Sequence, residues 1–378
     1  MKLKIVQVPS IKEPITASPG FAKKLLADYK LDLMALCGFG CSYCSSNTGN
    51  YLRINRGAFA DLTEAQLGER VLPADDPALT FTWPDVLDKL ARQVKAKPPT
   101  WGAGKTLVVS QLTDAFSPLP VADGTTEKAL RLVLDHTSFR IRVLTKGAVV
   151  GSERWVEFFK AYQGRFVVGL STGTLDDTWA HRIEVGTSSP SARLQATRAL
   201  QDAGIPTFGM LCPVFPDMLD DTAEHGLEEL VDSIRPNQCE HVWAEPFNDR
   251  ANWQAVRAGY AEGSPGWRFL TDVYERGMRD RWSGYATELY QRLITKARAD
   301  GWAHKLRYLL YEGDIHPDNA LAFKGLEGVL LQSATVKVGE GKAAKPTGWS
   351  ANESIRSIQR WEGEGYVGWS APVAARTT

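Results

Sequence analysis

The sequence predicts an α/β fold, namely a partial (β/α)6 barrel followed by a C-terminal, aromatic-rich helical extension. Short apolar runs alternate with amphipathic stretches through residues 31–250, which is the pattern of βα units around a parallel sheet. A length of 378 residues, with 43% hydrophobic and 23% charged residues, suits one large domain with a smaller appendage.

Six apolar runs predict strands, too few for a closed eight-stranded barrel. They are Leu31 to Leu36, Thr106 to Gln111, Arg140 to Thr145, Phe166 to Ser171, Pro206 to Cys212 and Cys239 to Ala244. The helices predicted between them are Trp83 to Lys97, Thr126 to Thr137, Glu153 to Tyr162, Ser191 to Ala203 and Thr222 to Ile234. In βα barrels the chemistry lies at the C-terminal ends of the strands, so we expect the site there.

Composition divides the chain into four segments. We expect a basic N-terminal segment over residues 1–30, the barrel over 31–250, the helical extension over 251–331, and a Gly/Lys/Pro linker with a tail over 332–378. The N-terminus has no apolar run typical of a signal peptide, and no 18-residue apolar stretch follows. We therefore expect a cytoplasmic protein with no membrane partner, acting as a monomer.

Net charge is zero and the pI is about 7.0, which argues against a protein that binds duplex DNA chiefly through its phosphates. Residues 1–60 nevertheless hold more basic than acidic groups. The basic ones are Lys2, Lys4, Lys12, Lys23, Lys24, Lys30, Arg53 and Arg56, and the acidic ones are Glu13, Asp28 and Asp32. This surplus is typical of a solvated face, and the alternative is attraction of a polyanionic substrate or an acidic electron donor.

The most specific signal is the spacing C-x3-C-x2-C at Cys37, Cys41 and Cys44. By chance this spacing is expected only about 0.0009 times per chain of this cysteine content. A zinc site would draw on His or carboxylate ligands, and no His precedes His136. Three thiolates suit three irons of a 4Fe-4S cluster and leave the fourth iron open to a small molecule.

This cysteine loop follows an apolar strand-like run and places Tyr43 just before its last cysteine, and in these features the chain resembles the radical SAM superfamily. The resemblance implies that the open iron chelates the amino and carboxylate groups of S-adenosylmethionine. One electron then cleaves the sulfonium to a 5'-deoxyadenosyl radical, which abstracts hydrogen from a substrate. It also implies a flavodoxin- or ferredoxin-type electron donor. The cofactors carry this chemistry, and the protein orients the reactants.

Further segments resemble spore photoproduct lyase-like proteins in their order along the chain. They are SQLTDAFSP from Ser110, VLTKG from Val143, RIEVGTSSPSARL from Arg182, DAGIPTFGMLCPVFP from Asp202 and AEPFN from Ala244. With the cysteine loop they cover roughly residues 30–250. The resemblance implies a pyrimidine or modified pyrimidine of nucleic acid as substrate.

Carried over position by position, the resemblance implies cofactor-binding roles at several strand ends. Lys146 and Ser171 would bind the methionine end of S-adenosylmethionine, Lys146 through its charge on the carboxylate. Tyr43 and the backbone near Cys212 would face the adenine. The remaining positions implied are Asp114 for catalysis and, for cofactor binding, Ser110 together with Glu184 and Arg193, whose ion pair would brace a loop. The alternatives are a solvated Lys146 and Ser171, and a structural salt bridge between Glu184 and Arg193.

One catalytic position departs from the resembled family. Where spore photoproduct lyase has a cysteine that returns hydrogen to the product radical, this chain has Gln111, and an amide is a poor hydrogen-atom donor. We therefore expect rearrangement or modification of the substrate rather than dimer reversal, with the hydrogen either returned by 5'-deoxyadenosine or not returned. Cys212 is an alternative donor, although a single Cys on an apolar run is more often a buried hydrophobe, and the same holds for Cys239.

The predicted extension interleaves aromatic and basic residues. The aromatic ones are Trp253, Tyr260, Trp267, Phe269, Tyr274, Trp282, Tyr285 and Tyr290, and the arginines are Arg257, Arg268, Arg276, Arg279, Arg281 and Arg292. This pattern suits stacking on nucleic-acid bases, or helices with aromatic inner and basic outer faces. Two other functions stay open: a radical SAM enzyme acting on a small molecule or peptide, and a non-catalytic iron-sulfur protein for electron transfer or redox sensing.

Overall fold

The computed structural model describes residues 2–9, 13–44, 46, 50–111, 113–221, 223–248, 252–311 and 322–332. At residues 50–56, 336–338, 345–347, 359–362 and 365–368 it describes the backbone alone. The chain forms two compact units, Met1–Thr207 with Asp249–Trp267, and Phe208–Asn248 with Arg268–Thr378. The four segments expected from composition stay a prediction.

The first unit contains a sheet in the strand order Ile15–Ala17, Tyr29–Leu31, Thr106–Val109, Arg140–Thr145 and Phe166–Leu170. The first pairing is antiparallel and the rest are parallel. Their registers align Leu31 with Val109, Val109 with Val143, and Val143 with Val168. Parallel strands that are covered on both faces consist of nearly continuous apolar residues, and these aligned residues are all apolar.

Helices follow the strands of this unit. They are Pro19–Lys23, Asn50–Leu67, Val86–Lys95, Pro118–Ala122, Thr125–His136, Glu153–Ala161, Asp177–Ile183, Pro190–Asp202 and Trp253–Ala258. A further helix, Pro265–Leu270, begins in this unit and ends in the second. The apolar faces of four of them, Val86–Lys95, Thr125–His136, Glu153–Ala161 and Pro190–Asp202, cover the sheet in one core that includes Leu90, Val133, Ile141, Phe159 and Leu200. Burial of such side chains contributes about 1.5 to 3 kcal/mol each.

The predicted strand Leu31 to Leu36 is wrong as a single element. The chain forms Tyr29–Leu31 in the main sheet and Met34–Leu36 in a second, three-stranded sheet with Lys4–Gln7 and Leu79–Thr82. Asp32 separates the two: its buried carboxylate pairs with Lys30 Nζ at 2.8 Å and accepts the backbone N–H of Gln111 at 3.1 Å. Those bonds direct the chain out of the main sheet, and the next residues lead into the cysteine loop.

The second unit contains strands Thr207–Val214, Cys239–Pro246, Leu306–Tyr311 and Val329–Gln332, neighbours in this order. Its helices include Leu227–Ser233 and the long Arg279–Ala299. The predicted extension is therefore helical at first, but it also adds the last two strands of this sheet. Further along, Val336–Val338 pairs with Lys345–Thr347 and Gln359–Glu362 with Gly365–Gly368, both antiparallel.

The predicted α/β fold is confirmed, since parallel strands alternate with helices in sheets that do not close over the described residues. Helix ends differ from prediction by a few residues, except that Thr222 to Ile234 shortens to Leu227–Ser233. Within the described part of the chain, no helix has the length and apolar character needed to cross a membrane.

Candidate active site

The cysteine loop begins where strand Met34–Leu36 ends. None of the five cysteines is in a disulfide; Cys41 is buried, and Cys37 and Cys44 are half-buried. Gly40 permits the turn between the first two, because its φ of +58° is unfavourable for other residues and a Cβ there would lie 2.4 Å from Pro77. The loop is thus a compact turn in which one cysteine residue is buried and the other two are half-buried.

The loop is attached to the segment that follows helix Asp177–Ile183. Cys41 pairs with Glu184 in an isolated antiparallel bridge, and the N–H of Ser42 donates to the carbonyl of Ile183 at 2.8 Å. The N–H of Gly186 donates to the carbonyl of Phe39 at 2.9 Å. These bonds satisfy backbone groups that would otherwise be unpaired, so they fix the loop between its first and last cysteines.

The three thiols lie close enough to influence one another. Burial, together with the neighbouring Cys44 and Asp114, raises the pKa of Cys37 to about 12, although the backbone N–H groups of Phe39 and Asp114 oppose the shift. Burial also raises the pKa of Cys41 well above its usual range, with contributions from Glu184, Cys44 and Cys37. Thiolates at this site therefore need a cation beside them, as iron would supply.

The donor set fits an iron-sulfur cluster. In the described ranges no three His, Cys, Asp or Glu side chains are placed to hold one metal ion. A 4Fe-4S cluster does not require that arrangement, because each thiolate binds a different iron. The backbone N–H groups facing Cys37 are the kind of outer hydrogen bonds that stabilise cluster ligands.

The loop after strand Thr106–Val109 supplies the next residues. Asp114 is buried, and its carboxylate accepts the Thr145 hydroxyl at 2.8 Å and the N–H groups of Lys146 and Phe116, each at 2.8 Å. Burial raises the pKa of Asp114, and these donors oppose the shift. The carboxylate thus joins the ends of two neighbouring strands; its predicted catalytic role stays a prediction.

Two hydroxyls of this loop, those of Ser110 and Thr113, are buried and have no hydrogen-bond partner among the described residues. Native proteins usually pair such groups, so each indicates a ligand or water. The family resemblance implies cofactor binding for Ser110, whereas the sequence indicates Thr113 only through its place in the same SQLTD segment. Both suit a polar cofactor.

Lys146 and Ser171 follow adjacent parallel strands, as predicted. The ammonium Nζ of Lys146 donates to Ser171 Oγ at 2.8 Å, lies 3.2 Å from Glu184 Oε1, and sits 5.6 Å from the centre of the Tyr43 ring. The Lys146 side chain is 14% exposed. It is therefore a held cation at the strand ends, not the solvated side chain of the alternative interpretation.

Glu184 and Arg193 form the expected ion pair, and both side chains are buried. Arg193 lies on helix Pro190–Asp202, which begins with Ser189 as its N-cap and Pro190 in its first turn. Its guanidinium also donates to the carbonyl of Ser171 at 2.6 Å. Although burial alone raises the pKa of Glu184, Lys146 and Arg193 lower it to about 2. Tyr43 adds a hydrogen bond from its hydroxyl to Glu184 Oε1.

Gln111 has two bonds that the sequence did not indicate. Its Oε1 accepts the hydroxyl of buried Ser18 at 2.6 Å, and its N–H donates to Asp32. Cys212 lies in the second unit, where its thiol donates to Glu245 Oε2 at 3.1 Å. The predicted roles of Gln111 and Cys212 stay predictions.

The basic surplus of the N-terminus is partly neutralised. Lys4 pairs with Glu69 and Asp76, and Lys30 pairs with Asp32. Lys12 and the side chains of Arg53 and Arg56 lie outside the described residues.

The aromatic residues of the extension fall into two groups. Phe269, Trp282, Tyr285 and Tyr290 are buried in the second unit, as the interpretation with inner aromatic faces expects. In the first unit, the Arg257 guanidinium lies 4.7 Å from the Trp253 ring and 5.4 Å from the Trp267 ring, and all three are half-buried. Helix Trp253–Ala258 follows Asn252, whose amide Nδ2 is 3.5 Å from the carbonyl of Cys44.

No protein-family model matches the chain. A curated relative, the "Uncharacterized protein ORF301" of Acidianus two-tailed virus, is 21% identical over 232 residues, which is 61% of this chain and 71% of the relative.

Among solved structures, a spore photoproduct lyase variant with dinucleoside spore photoproduct is 16% identical with a TM-score of 0.42, covering 69% of this chain and 66% of that one. The enzyme anSMEcpe with bound AdoMet is 12% identical with a TM-score of 0.41, covering 80% and 60%. The chain thus spans just under two thirds of the spore photoproduct lyase chain.

Proposed function

We propose that this chain is a radical SAM enzyme with a 4Fe-4S cluster, which cleaves S-adenosylmethionine reductively and abstracts hydrogen from its substrate. One observation carries the proposal: Cys41 of the loop holding Cys37, Cys41 and Cys44 pairs with Glu184 in a backbone bridge, and the Glu184 carboxylate in turn contacts the held cation Lys146. A loop with three thiols suits a cluster whose open iron binds the methionine part of S-adenosylmethionine. A fixed ammonium beside it suits the carboxylate of the same methionine part.

The chain's own residues would bind and orient the cosubstrate. When bound, the cluster supplies the electron for cleavage. Lys146 and Ser171 would hold the methionine carboxylate, the buried hydroxyls of Ser110 and Thr113 would satisfy polar groups of the cosubstrate, and the Tyr43 ring would face the adenine. Burial around these groups excludes water, which strengthens each electrostatic contact.

For the substrate we propose a pyrimidine or modified pyrimidine of nucleic acid, changed by rearrangement or modification. The Gln111 side chain supports modification over dimer reversal, since it is a poor hydrogen donor and is bonded to Ser18. The Arg257 guanidinium with Trp253 and Trp267 supports a base-stacking surface in the same unit as the cysteine loop.

A small-molecule or peptide substrate is the second candidate, favoured by a net charge of zero. A non-catalytic cluster protein is disfavoured, because an electron carrier has no use for the held Lys146 and Ser171 pair.

The test is product analysis. The anaerobically reconstituted, reduced protein is incubated with S-adenosylmethionine and with nucleosides or oligonucleotides, and 5'-deoxyadenosine and altered nucleosides are quantified by mass spectrometry. We expect 5'-deoxyadenosine and an altered pyrimidine. Cleavage without any nucleoside product would favour the small-molecule or peptide candidate, and no cleavage with an intact cluster would favour the electron-transfer protein.

A further inference from the structure

One buried residue of the first unit, Glu184, contacts four residues of the candidate site: Tyr43, Lys146 and Arg193 through its carboxylate, and Cys41 through its backbone. Its Oε1 accepts the Tyr43 hydroxyl and lies 3.2 Å from Lys146 Nζ, while its Oε2 accepts from the Arg193 guanidinium. Its backbone pairs with Cys41. The Glu184 side chain is only 4% exposed. A buried charge is tolerated when it is paired and hydrogen-bonded, and both conditions hold for Glu184.

The partners of Lys146 show what this carboxylate does for the cation. An ammonium has three N–H donors. For the Lys146 ammonium, one points to Ser171 Oγ at 2.8 Å and a second to Glu184 Oε1 at 3.2 Å. Among the described residues the Nζ atom has no other hydrogen-bond or ion-pair partner, so one donor stays available to a ligand. With two donors committed, the direction of the third is fixed.

The same carboxylate fixes the Tyr43 ring through its hydroxyl, and that ring lies against the Lys146 ammonium, 5.6 Å from Nζ to the ring centre. Arg193 balances the charge of Glu184 and anchors it to the carbonyl of Ser171. Lys146 is therefore not consumed as the sole counter-ion of Glu184, and its charge remains available to an anionic group.

We propose that Glu184 is a positioning residue that aims the open N–H of Lys146 at the carboxylate of S-adenosylmethionine and ties this contact to the cluster loop through Cys41. This inference rests on the proposed function and goes beyond a salt bridge that braces a loop. A bracing role requires Arg193 alone, whereas the positioning role requires Lys146.

The two roles predict different results in a double-mutant cycle of Glu184→Gln and Lys146→Met. The dissociation constant of S-adenosylmethionine is measured by equilibrium binding to cluster-loaded protein, alongside iron per chain and the midpoint of thermal unfolding. If Glu184 acts through Lys146, Glu184→Gln weakens binding by about tenfold or more in the wild-type background, the scale of one charge-assisted hydrogen bond. In the Lys146→Met background the same change has an effect of less than about twofold.

A matched control is Glu327→Gln. Glu327 is also buried and paired with an arginine, Arg298, at 2.8 Å, but it belongs to the second unit. The Glu327→Gln change should lower the midpoint of thermal unfolding without changing the dissociation constant of S-adenosylmethionine. If Glu184→Gln does not fold, Glu184→Asp keeps the charge for Arg193, shortens the side chain by one methylene, and goes through the same cycle.

Equal effects of the Glu184 change in both backgrounds would overturn the proposal and leave Glu184 as a structural brace. Unchanged binding of S-adenosylmethionine by Glu184→Gln would also overturn the proposal, since Glu184 would then not position Lys146. Tighter binding would overturn it too, since Glu184 would then compete with S-adenosylmethionine for Lys146. Failure of the wild-type, cluster-loaded protein to bind S-adenosylmethionine would instead reject the proposed function itself.

Discussion

The backbones of Cys41 and Glu184, far apart in sequence, pair in an isolated antiparallel bridge. This bridge places an expected iron ligand beside the carboxylate that contacts Lys146. Any change that shifts the cysteine loop should therefore also shift the residues proposed to bind the cosubstrate.

Changing Cys37, Cys41 or Cys44 singly to Ala should abolish cluster binding and cleavage of S-adenosylmethionine, because each thiolate is expected to hold one iron. Iron and sulfide per chain and 5'-deoxyadenosine formation are the measurements. Cys239→Ala is the control and should keep both, since its buried thiol contacts the carbonyl of Ile234 in the second unit. Full iron content in any loop variant, or stoichiometric zinc without iron in the wild type, would reject the assignment.

Lys146→Met should leave the cluster intact and weaken binding of S-adenosylmethionine by about 1.5 to 3 kcal/mol, because a charge-assisted hydrogen bond to the carboxylate is lost. The dissociation constant and iron content are measured together. Lys160→Met is the matched control, since Lys160 is an exposed lysine whose one ion-pair partner among the described residues is Glu157. An unchanged dissociation constant in Lys146→Met would mean that this cation serves another purpose.

With Gln111 in place of a thiol, the chain should not reverse a thymine dimer efficiently, and the abstracted hydrogen should return from 5'-deoxyadenosine or not return. Deuterium at the abstracted position of the substrate distinguishes the two. Recycling puts label into product and into recovered S-adenosylmethionine, whereas consumption leaves it in 5'-deoxyadenosine. Efficient dimer reversal by a protein with Cys212 and Cys239 both changed to Ala would show that no thiol is needed and that the argument is wrong.

The ion pair between Glu228 and Arg292 should make stability depend on pH. The hydrogen bond from Arg292, which outweighs partial burial, lowers the pKa of Glu228 below its ordinary 4.5. A lowered folded-state pKa contributes stability above the unfolded value and loses it as pH falls through the folded value. Because both side chains are partly exposed, Glu228→Gln should cost about 1 kcal/mol or less at pH 7.

Urea denaturation of wild type and Glu228→Gln between pH 7 and pH 3 measures this contribution. The difference in unfolding free energy should be constant above about pH 5 and shrink below it. Glu288→Gln, which removes a carboxylate 3.9 Å from the same arginine, should have a smaller effect. A difference that grows as pH falls would contradict the assignment.

The sequence predicted the parts of the site whose positions depend on local pattern. Lys146 and Ser171 each follow an apolar run, and because parallel strands end at one edge, their contact at 2.8 Å could be anticipated. The cysteine spacing likewise lies in one short segment. Glu184 and Arg193 are separated by one turn and the start of one helix. Residues this near in sequence belong to one motif, so their pairing could also be predicted.

Contacts between distant segments could not be predicted. The bonds from Tyr43 and Lys146 to Glu184 depend on how three loops meet, and hydrophobic periodicity does not report on loops. The strand Leu31 to Leu36 was predicted as one element because Asp32 is the only polar residue in that run. Its ion pair with Lys30 and its bond from Gln111 are tertiary interactions, and these overrode the local pattern.

Because Ser18 is hydrogen-bonded to Gln111, placing a thiol at position 111 affects two residues of the chain. Ser18 is 1% exposed, and its hydroxyl donates to Gln111 Oε1. Gln111→Cys alone would leave that hydroxyl buried with a much weaker acceptor, at a cost of about 1 to 3 kcal/mol. An evolutionary or engineered path to a thiol at this position therefore passes through a less stable intermediate unless Ser18→Ala comes with it. The two positions should covary, so that small apolar residues accompany cysteine and hydroxyl residues accompany glutamine.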